Sequence, residues 1–216
     1  MSSSLFFPPA ASASQDGVVA IGGELTLERI IDAYRHGIFP WPNGRGIVEW
    51  HSPPLRAVIP LDGFHVSRSL ARTLGSGKFA VRRDTDFRGV IMGCATAQDR
   101  REHTWITPSM EEAYCRLHAA GVAHSVEAWH DGALAGGVYG VAIGAMFAAE
   151  SMFYRETDAS KVALAHLVDH LGQRGYELLD IQQWTANSHR LGCGLLPRSE
   201  FLTRLAGAID KPVTFG

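Results

Sequence analysis

The chain is predicted to be an α+β protein, with a small N-terminal unit over residues 1–61 and a larger domain over residues 62–216. Three observations carry this. Residues 124–153 read as a three-stranded meander, broken at Asp131-Gly132 and Ile143-Gly144, dipeptides that favour tight hairpin turns. Residues 158–174 read as a helix with Leu164, Leu167, Val168 and Leu171 on one face and Gly175 after it. Residues 177–182 then return as an apolar strand. Strands, then a helix, then a strand is an α+β order, and it fits an acyltransferase-type mixed sheet that splays to admit a substrate.

The remaining elements follow in chain order. Residues 8–17, rich in Pro, Ala and Ser, form an irregular lead-in. Thr26 is positioned to cap a helix, Leu25 and Ile30 to staple it, and Leu27, Ile30, Ile31 and Tyr34 to form its apolar stripe, with Gly37 as the stop. Phe39-Pro40-Trp41-Pro42 and Trp50-His51-Ser52-Pro53-Pro54 are expected to be loops displaying aromatic rings, because proline cannot continue a helix. Beyond the expected boundary near Pro60 to Gly63, Ser67 caps a short helix, residues 79–83 form a strand and residues 86–94 a helix. Thr107, Pro108 and Glu111 open a further helix that Gly121 closes.

Composition narrows the function classes. Of 216 residues, 46% are apolar and 19% charged, as in ordinary globular proteins. A net charge of −2 gives no protein-wide attraction for nucleic acid, so any such contact must come from a local patch. Cys94, Cys115 and Cys193 are isolated, which argues against a zinc cluster or a disulfide framework. No signal peptide or membrane-spanning stretch is evident, so the expected location is the cytoplasm.

Several polar and aromatic side chains could carry chemistry. Asp180 and Gln182, two apart in a strand, are expected on one face, either as a working pair or as a strand end bonded to nearby backbone. Glu150 closes an apolar strand and could hold a cationic substrate or pair with Arg155. Trp41 and Trp105 could stack on a nucleic-acid base, although a single Trp is more often core. Arg68 and Arg72, one helical turn apart, could touch phosphate or form a solvated face. His166 and His170 have the spacing of a zinc-protease helix, but Leu167 stands where the catalytic glutamate belongs, so no metal site is assigned. The glycines of residues 136–140 read as strand, and nothing signals ATP or a dinucleotide.

Longer strings narrow the choice. Gly22-Gly23-Glu24-Leu25, Gly37-Ile38-Phe39-Pro40-Trp41, Trp50-His51-Ser52-Pro53, Thr104-Trp105-Ile106-Thr107, Gly136-Gly137-Val138-Tyr139-Gly140, Glu150-Ser151-Met152-Phe153, Ala159-Ser160-Lys161 and Asp180-Ile181-Gln182 run nearly end to end. In these the chain resembles the bacterial leucyl/phenylalanyl-tRNA–protein transferases. The resemblance implies an acyl-CoA N-acyltransferase (GNAT)-like larger domain. It implies transfer of Leu or Phe, and less so Met, from aminoacyl-tRNA to the N-terminal Arg or Lys of acceptor proteins, marking them for N-degron proteolysis, without cofactor or metal.

By motif match, Asp180, Gln182 and Glu150 fall on catalytic positions, and Trp41 and Trp105 on those that hold the terminal adenosine. Val138, Phe147, Met152, Leu164, Leu167, Leu171, Leu179 and Ile181 fall on or near the amino-acid pocket, and Arg68 and Arg72 on tRNA-contacting positions. The expected roles are these: Asp180 fixes the Gln182 amide and helps draw a proton from the attacking amine, while Glu150 attracts the acceptor's cationic end. The alternatives are an acyl-CoA-dependent N-acetyltransferase and a non-catalytic aminoacyl-tRNA-binding protein.

Overall fold

The computed structural model describes residues 3–97 and 104–216. Its N-terminal part is a three-stranded antiparallel sheet of order β1-β3-β2, formed by β1 (Val18–Ile21), β2 (Phe39–Pro42) and β3 (Val48–His51). Helix α1 (Leu27–Arg35) begins where Thr26 accepts a hydrogen bond from the Arg29 amide, and ends at Gly37 with φ +75°. Of two segments expected to be loops, one is a strand and the other is a strand as far as His51, with residues 52–54 outside any strand. Phe39-Pro40-Trp41-Pro42 is the edge strand β2, where prolines are tolerated because one side has no partner to receive an N–H. Trp50 lies in the central strand β3, fully buried, its indole N–H donating to the Gly22 carbonyl at 2.9 Å.

The larger sheet has seven strands in the order β10-β4-β9-β8-β7-β6-β5. They are β4 (Leu55–Ile59), β5 (Ala80–Arg83), β6 (Ala123–His130), β7 (Ala133–Ile143), β8 (Met146–Tyr154), β9 (Leu178–Gln182) and β10 (Gly194–Pro197). The expected boundary at 61/62 therefore needs correction. Strand β4 pairs with β9 on one side and β10 on the other, and hydrogen bonding places residues 55–59 in the larger unit. The two units also share one apolar core, in which Phe39 and Trp50 of the small sheet lie with Tyr114 and Phe201.

Helices α2 (Arg68–Gly75), α3 (Phe87–Ala95), α4 (Pro108–Ala119), α5 (Ala159–Arg174), α6 (Ala186–His189) and α7 (Arg198–Ala208) complete the chain. Helices α3 and α4 contribute to the core shared with the small unit, and α5 packs on the opposite face of the sheet. Ser67, Asp86 and Thr107 each cap the helix they precede with a side-chain oxygen.

The β8–α5–β9 unit gives the sheet its one parallel pair among the described residues. That pair is short: only Met146↔Leu178, Phe147↔Leu179 and Ala148↔Asp180 are in register. Beyond Ala148 the strands diverge, β8 following β7 and β9 following β4, and a wedge opens at their carboxyl ends. Open sheets with parallel strands tend to bind ligands in that place.

Candidate active site

Two backbone irregularities face each other across the wedge. Along β7 and β8, Tyr139 pairs with Ser151 and Gly140 with Ala149, so Glu150 is the extra residue of a β-bulge. Along β4 and β9, Val58 pairs with Asp180 and Ala57 with Gln182, so Ile181 is a second one. A bulge breaks the alternation of a strand and re-aims the side chain it carries. Close backbone packing supports the first: a Cβ at Gly140 would lie 2.2 Å from the Ala148 carbonyl oxygen. Gln182 ends β9 with φ +57°, a left-handed conformation that costs a non-glycine residue about 1–3 kcal/mol.

These distortions join Glu150 to Gln182. The Gln182 Nε2 donates to Glu150 Oε1 at 2.8 Å, and the Tyr114 hydroxyl donates to Glu150 Oε2 at 3.1 Å. The Tyr34 hydroxyl, from the small unit, lies 2.6 Å from that of Tyr114. Burial pushes the Glu150 carboxyl up to about 8, and the nearby Asp180 carboxylate adds to the rise. Burial, together with Glu150, also holds both tyrosines well above their ordinary value, so they remain protonated donors. Arg155, a possible partner for Glu150 by sequence, instead donates to the Leu134 carbonyl at 2.9 Å.

Asp180 is placed differently. It is 1% exposed, and Arg56 grips it with Nε on Oδ1 at 2.8 Å and Nη2 on Oδ2 at 2.7 Å. Its Oδ1 also accepts the backbone N–H of Gln182 at 2.9 Å. The expectation that Asp180 fixes the Gln182 amide is thereby corrected: the carboxylate holds the Gln182 main chain, and Glu150 takes the amide. Arg56 donates further to the Gly37 carbonyl at 3.1 Å and is sandwiched between the rings of Phe39 and Phe201, 4.6 and 4.5 Å away. Sequence reading passed over Arg56, and the signal was a lone cation in the apolar run Leu55-Arg56-Ala57-Val58-Ile59, since unpaired charges are almost never buried.

The apolar candidates gather on the α5 face of the sheet. Val138, Phe147, Leu164, Leu167, Leu171 and Leu179 are buried there, while Met152 and Ile181 are half-buried at the edge of the same cluster. Met152 lies opposite Val138 across the β7–β8 ladder. Trp41 and Trp105, from different units, stack on each other with centroids 5.2 Å apart and planes at 23°. Arg68 and Arg72 are exposed on α2, with no ion pair among the described residues.

A family model described as leucyl/phenylalanyl-tRNA protein transferase matches residues 58–206, and one described as its N-terminal domain matches residues 23–54. The chain belongs to the leucyl/phenylalanyl-tRNA–protein transferase family. The transferase of Pseudomonas putida KT2440 is 47% identical over 211 residues, covering 97% of this chain and 93% of that protein. The transferase of Dechloromonas aromatica is 49% identical over 203 residues, covering 93% and 87%. Among solved structures, L-PGS from Bacillus licheniformis aligns at 12% identity with a TM-score of 0.43, over 77% of this chain and 56% of the other. The two family models meet between residues 54 and 58, beside the start of β4 rather than at the 61/62 boundary. No helix among the described residues is long and apolar enough to cross a membrane.

Proposed function

We propose that this chain transfers Leu or Phe, and less readily Met, from aminoacyl-tRNA to proteins whose N-terminal residue is Arg or Lys, marking them for N-degron proteolysis. The observation that carries the reading is the Glu150–Gln182 pair spanning the wedge, with its carboxyl raised to about 8. An α-amino group titrates at about 7.7–8.0, so proton exchange between acceptor and Glu150 is nearly isoenergetic, the condition under which general base catalysis is effective.

The amine nitrogen attacks the ester carbonyl, forming the C–N bond of the new amide. The C–O bond to the tRNA ribose breaks, the amine proton passes to Glu150, and Glu150 returns a proton to the ribose oxygen. The ester is already activated, so no ATP is consumed. Gln182 gives its Nε2–H to Glu150, which leaves the amide oxygen to orient the amine. Asp180 and Arg56 act as the footing that holds the Gln182 backbone. Their charges offset each other, so the ionised form of Glu150 favours a cationic acceptor over an acidic one.

The donor's side chain would enter between Met152 and Ile181 toward the apolar cluster beneath α5. Leu and Phe are unbranched at Cβ, and a pocket edged by an adaptable Met separates them from Ile and Val by about 1–3 kcal/mol. The terminal adenosine would stack on the Trp41–Trp105 pair, and Arg68 and Arg72 would meet backbone phosphate. The test mixes purified protein, Leu-tRNA and peptides beginning with Arg, Lys or Asp, and weighs the products. A leucine gained only by the Arg and Lys peptides is the expected result. Acetyl transfer from acetyl-CoA without leucine transfer, or tight tRNA binding without product, overturns the reading.

A further inference from the structure

Beneath α5 the apolar cluster takes in Phe215, with Val213 packed against it. Phe215, 3% exposed, stacks on His124 with centroids 4.3 Å apart and planes at 14°. It meets the edge of His170 at 4.7 Å and lies 5.6 Å from Phe147 at 30°. The segment is tied down along its length. His170 Nε2 lies 2.7 Å from the Phe215 carbonyl oxygen and donates to it. Arg174 donates from Nε to the Thr214 carbonyl at 3.0 Å and from Nη2 to its hydroxyl at 2.8 Å. The latch thus comes from α5, whose Leu164, Leu167 and Leu171 line the same cluster. The match to the family model ends at residue 206, so this strap lies beyond it.

We infer that Phe215 is a specificity-determining residue: its ring, backed by His124 and latched through His170, is the end wall that limits how long a donor side chain the cluster accepts. The inference rests on the proposed transferase reading. Met152 and Ile181 are half-buried at the edge of the cluster, and Phe147, inside it, lies against Phe215; on this inference the donor enters at that edge and Phe215 stands behind Phe147. Phe is longer than Leu and presses further toward that wall, so the wall acts on the two donors unequally.

The experiment measures kcat/KM for Phe-tRNA and Leu-tRNA, each with an Arg-peptide acceptor, on wild type, Phe215→Ala and Phe215→Trp. Removing the ring is expected to raise the Phe-to-Leu ratio about tenfold, and the larger indole to lower it by a similar factor, within the range one or two carbons give in an apolar pocket. Loss of folded protein scales both donors equally and leaves the ratio unmoved. Should Phe215→Ala fail to fold, Phe215→Leu is expected to shift the ratio in the same direction by less. A wild type that transfers both donors, with ratios in the folded variants within about twofold of its own, less than a single methylene gives, overturns the inference alone. A wild type that transfers neither overturns the transferase reading as well.

Discussion

Asp180 and Glu150 are joined through one residue, Gln182, and differ in every property that matters to chemistry. Asp180 is buried on β9 beside β4, gripped by the fork of Arg56, with the Gln182 N–H on the same carboxylate. Glu150 sits on a bulge at the wedge, bonds to the neutral Tyr114 and Gln182 side chains and is raised to about 8. The first accepts three hydrogen bonds, two of them from a cation; the second, raised to about 8, can gain or lose a proton near neutral pH. The comparison teaches that two acids of one site are assigned roles by their partners. An acid clamped by a cation anchors the backbone, and an acid faced by hydroxyl and amide can exchange a proton.

The largest effect is expected on the anchored side. Arg56→Met leaves Asp180 buried without its cation and is expected to cost about 3–5 kcal/mol of stability, measured by urea denaturation, with activity falling alongside. Arg56→Lys is expected to recover part of this, since a point charge cannot grip both carboxylate oxygens. Near wild-type stability in Arg56→Met would break the comparison.

Next is the wedge itself. Glu150→Gln is expected to lower kcat by about 10²–10⁴-fold while keeping the fold, read in single-turnover transfer. Its pH behaviour sharpens the contrast. In wild type both the acceptor amine and Glu150 must lose a proton, so log kcat/KM is expected to rise with a slope of about two below neutrality, falling to about one in Glu150→Gln. Stability has the opposite sense. Folding raises the carboxyl from 4.5 to about 8, so the folded chain binds that proton more tightly than the unfolded one. The resulting stability is complete below the unfolded value, erodes as pH climbs through this window, and is gone above it. Glu150→Gln is expected to lose that slope and, at pH 8.5, to match or exceed wild type in thermal unfolding.

Smaller effects lie further out. Trp41→Ala or Trp105→Ala is expected to weaken aminoacyl-tRNA binding by about 1–3 kcal/mol, raising KM with kcat nearly unchanged. Loss of kcat at saturating tRNA would show that the stack also shapes the wedge. Replacing Arg68 and Arg72 with Gln is expected to flatten the salt dependence of log binding by roughly one to two units, with little change in the chemistry.

Local chemistry explains which parts were legible beforehand. Thr26, Ser67 and Thr107 announced their helices because capping is a property of a few adjacent residues. The 124–153 meander was legible from its two turns. The Phe39–Pro42 strand was missed because prolines forbid a central strand but not an edge, and edge position is a tertiary fact. Nothing after residue 182 was assigned, so α6, β10 and α7 emerged only from the structure. At the site, Glu150, Asp180 and Gln182 stood in the family strings, while Arg56 and Tyr114 did not, and no partner was legible. The Arg56–Asp180 contact spans 124 residues, and both bulges exist only once register is set by neighbouring strands.

The left-handed backbone at Gln182 has a consequence for protein engineering. A library screened for heat resistance alone is expected to enrich Gly at position 182, because glycine adopts that conformation without the penalty Gln bears. Those survivors would lack the carboxamide that the proposed mechanism uses to orient the amine, so on that mechanism heat resistance and activity would be selected apart.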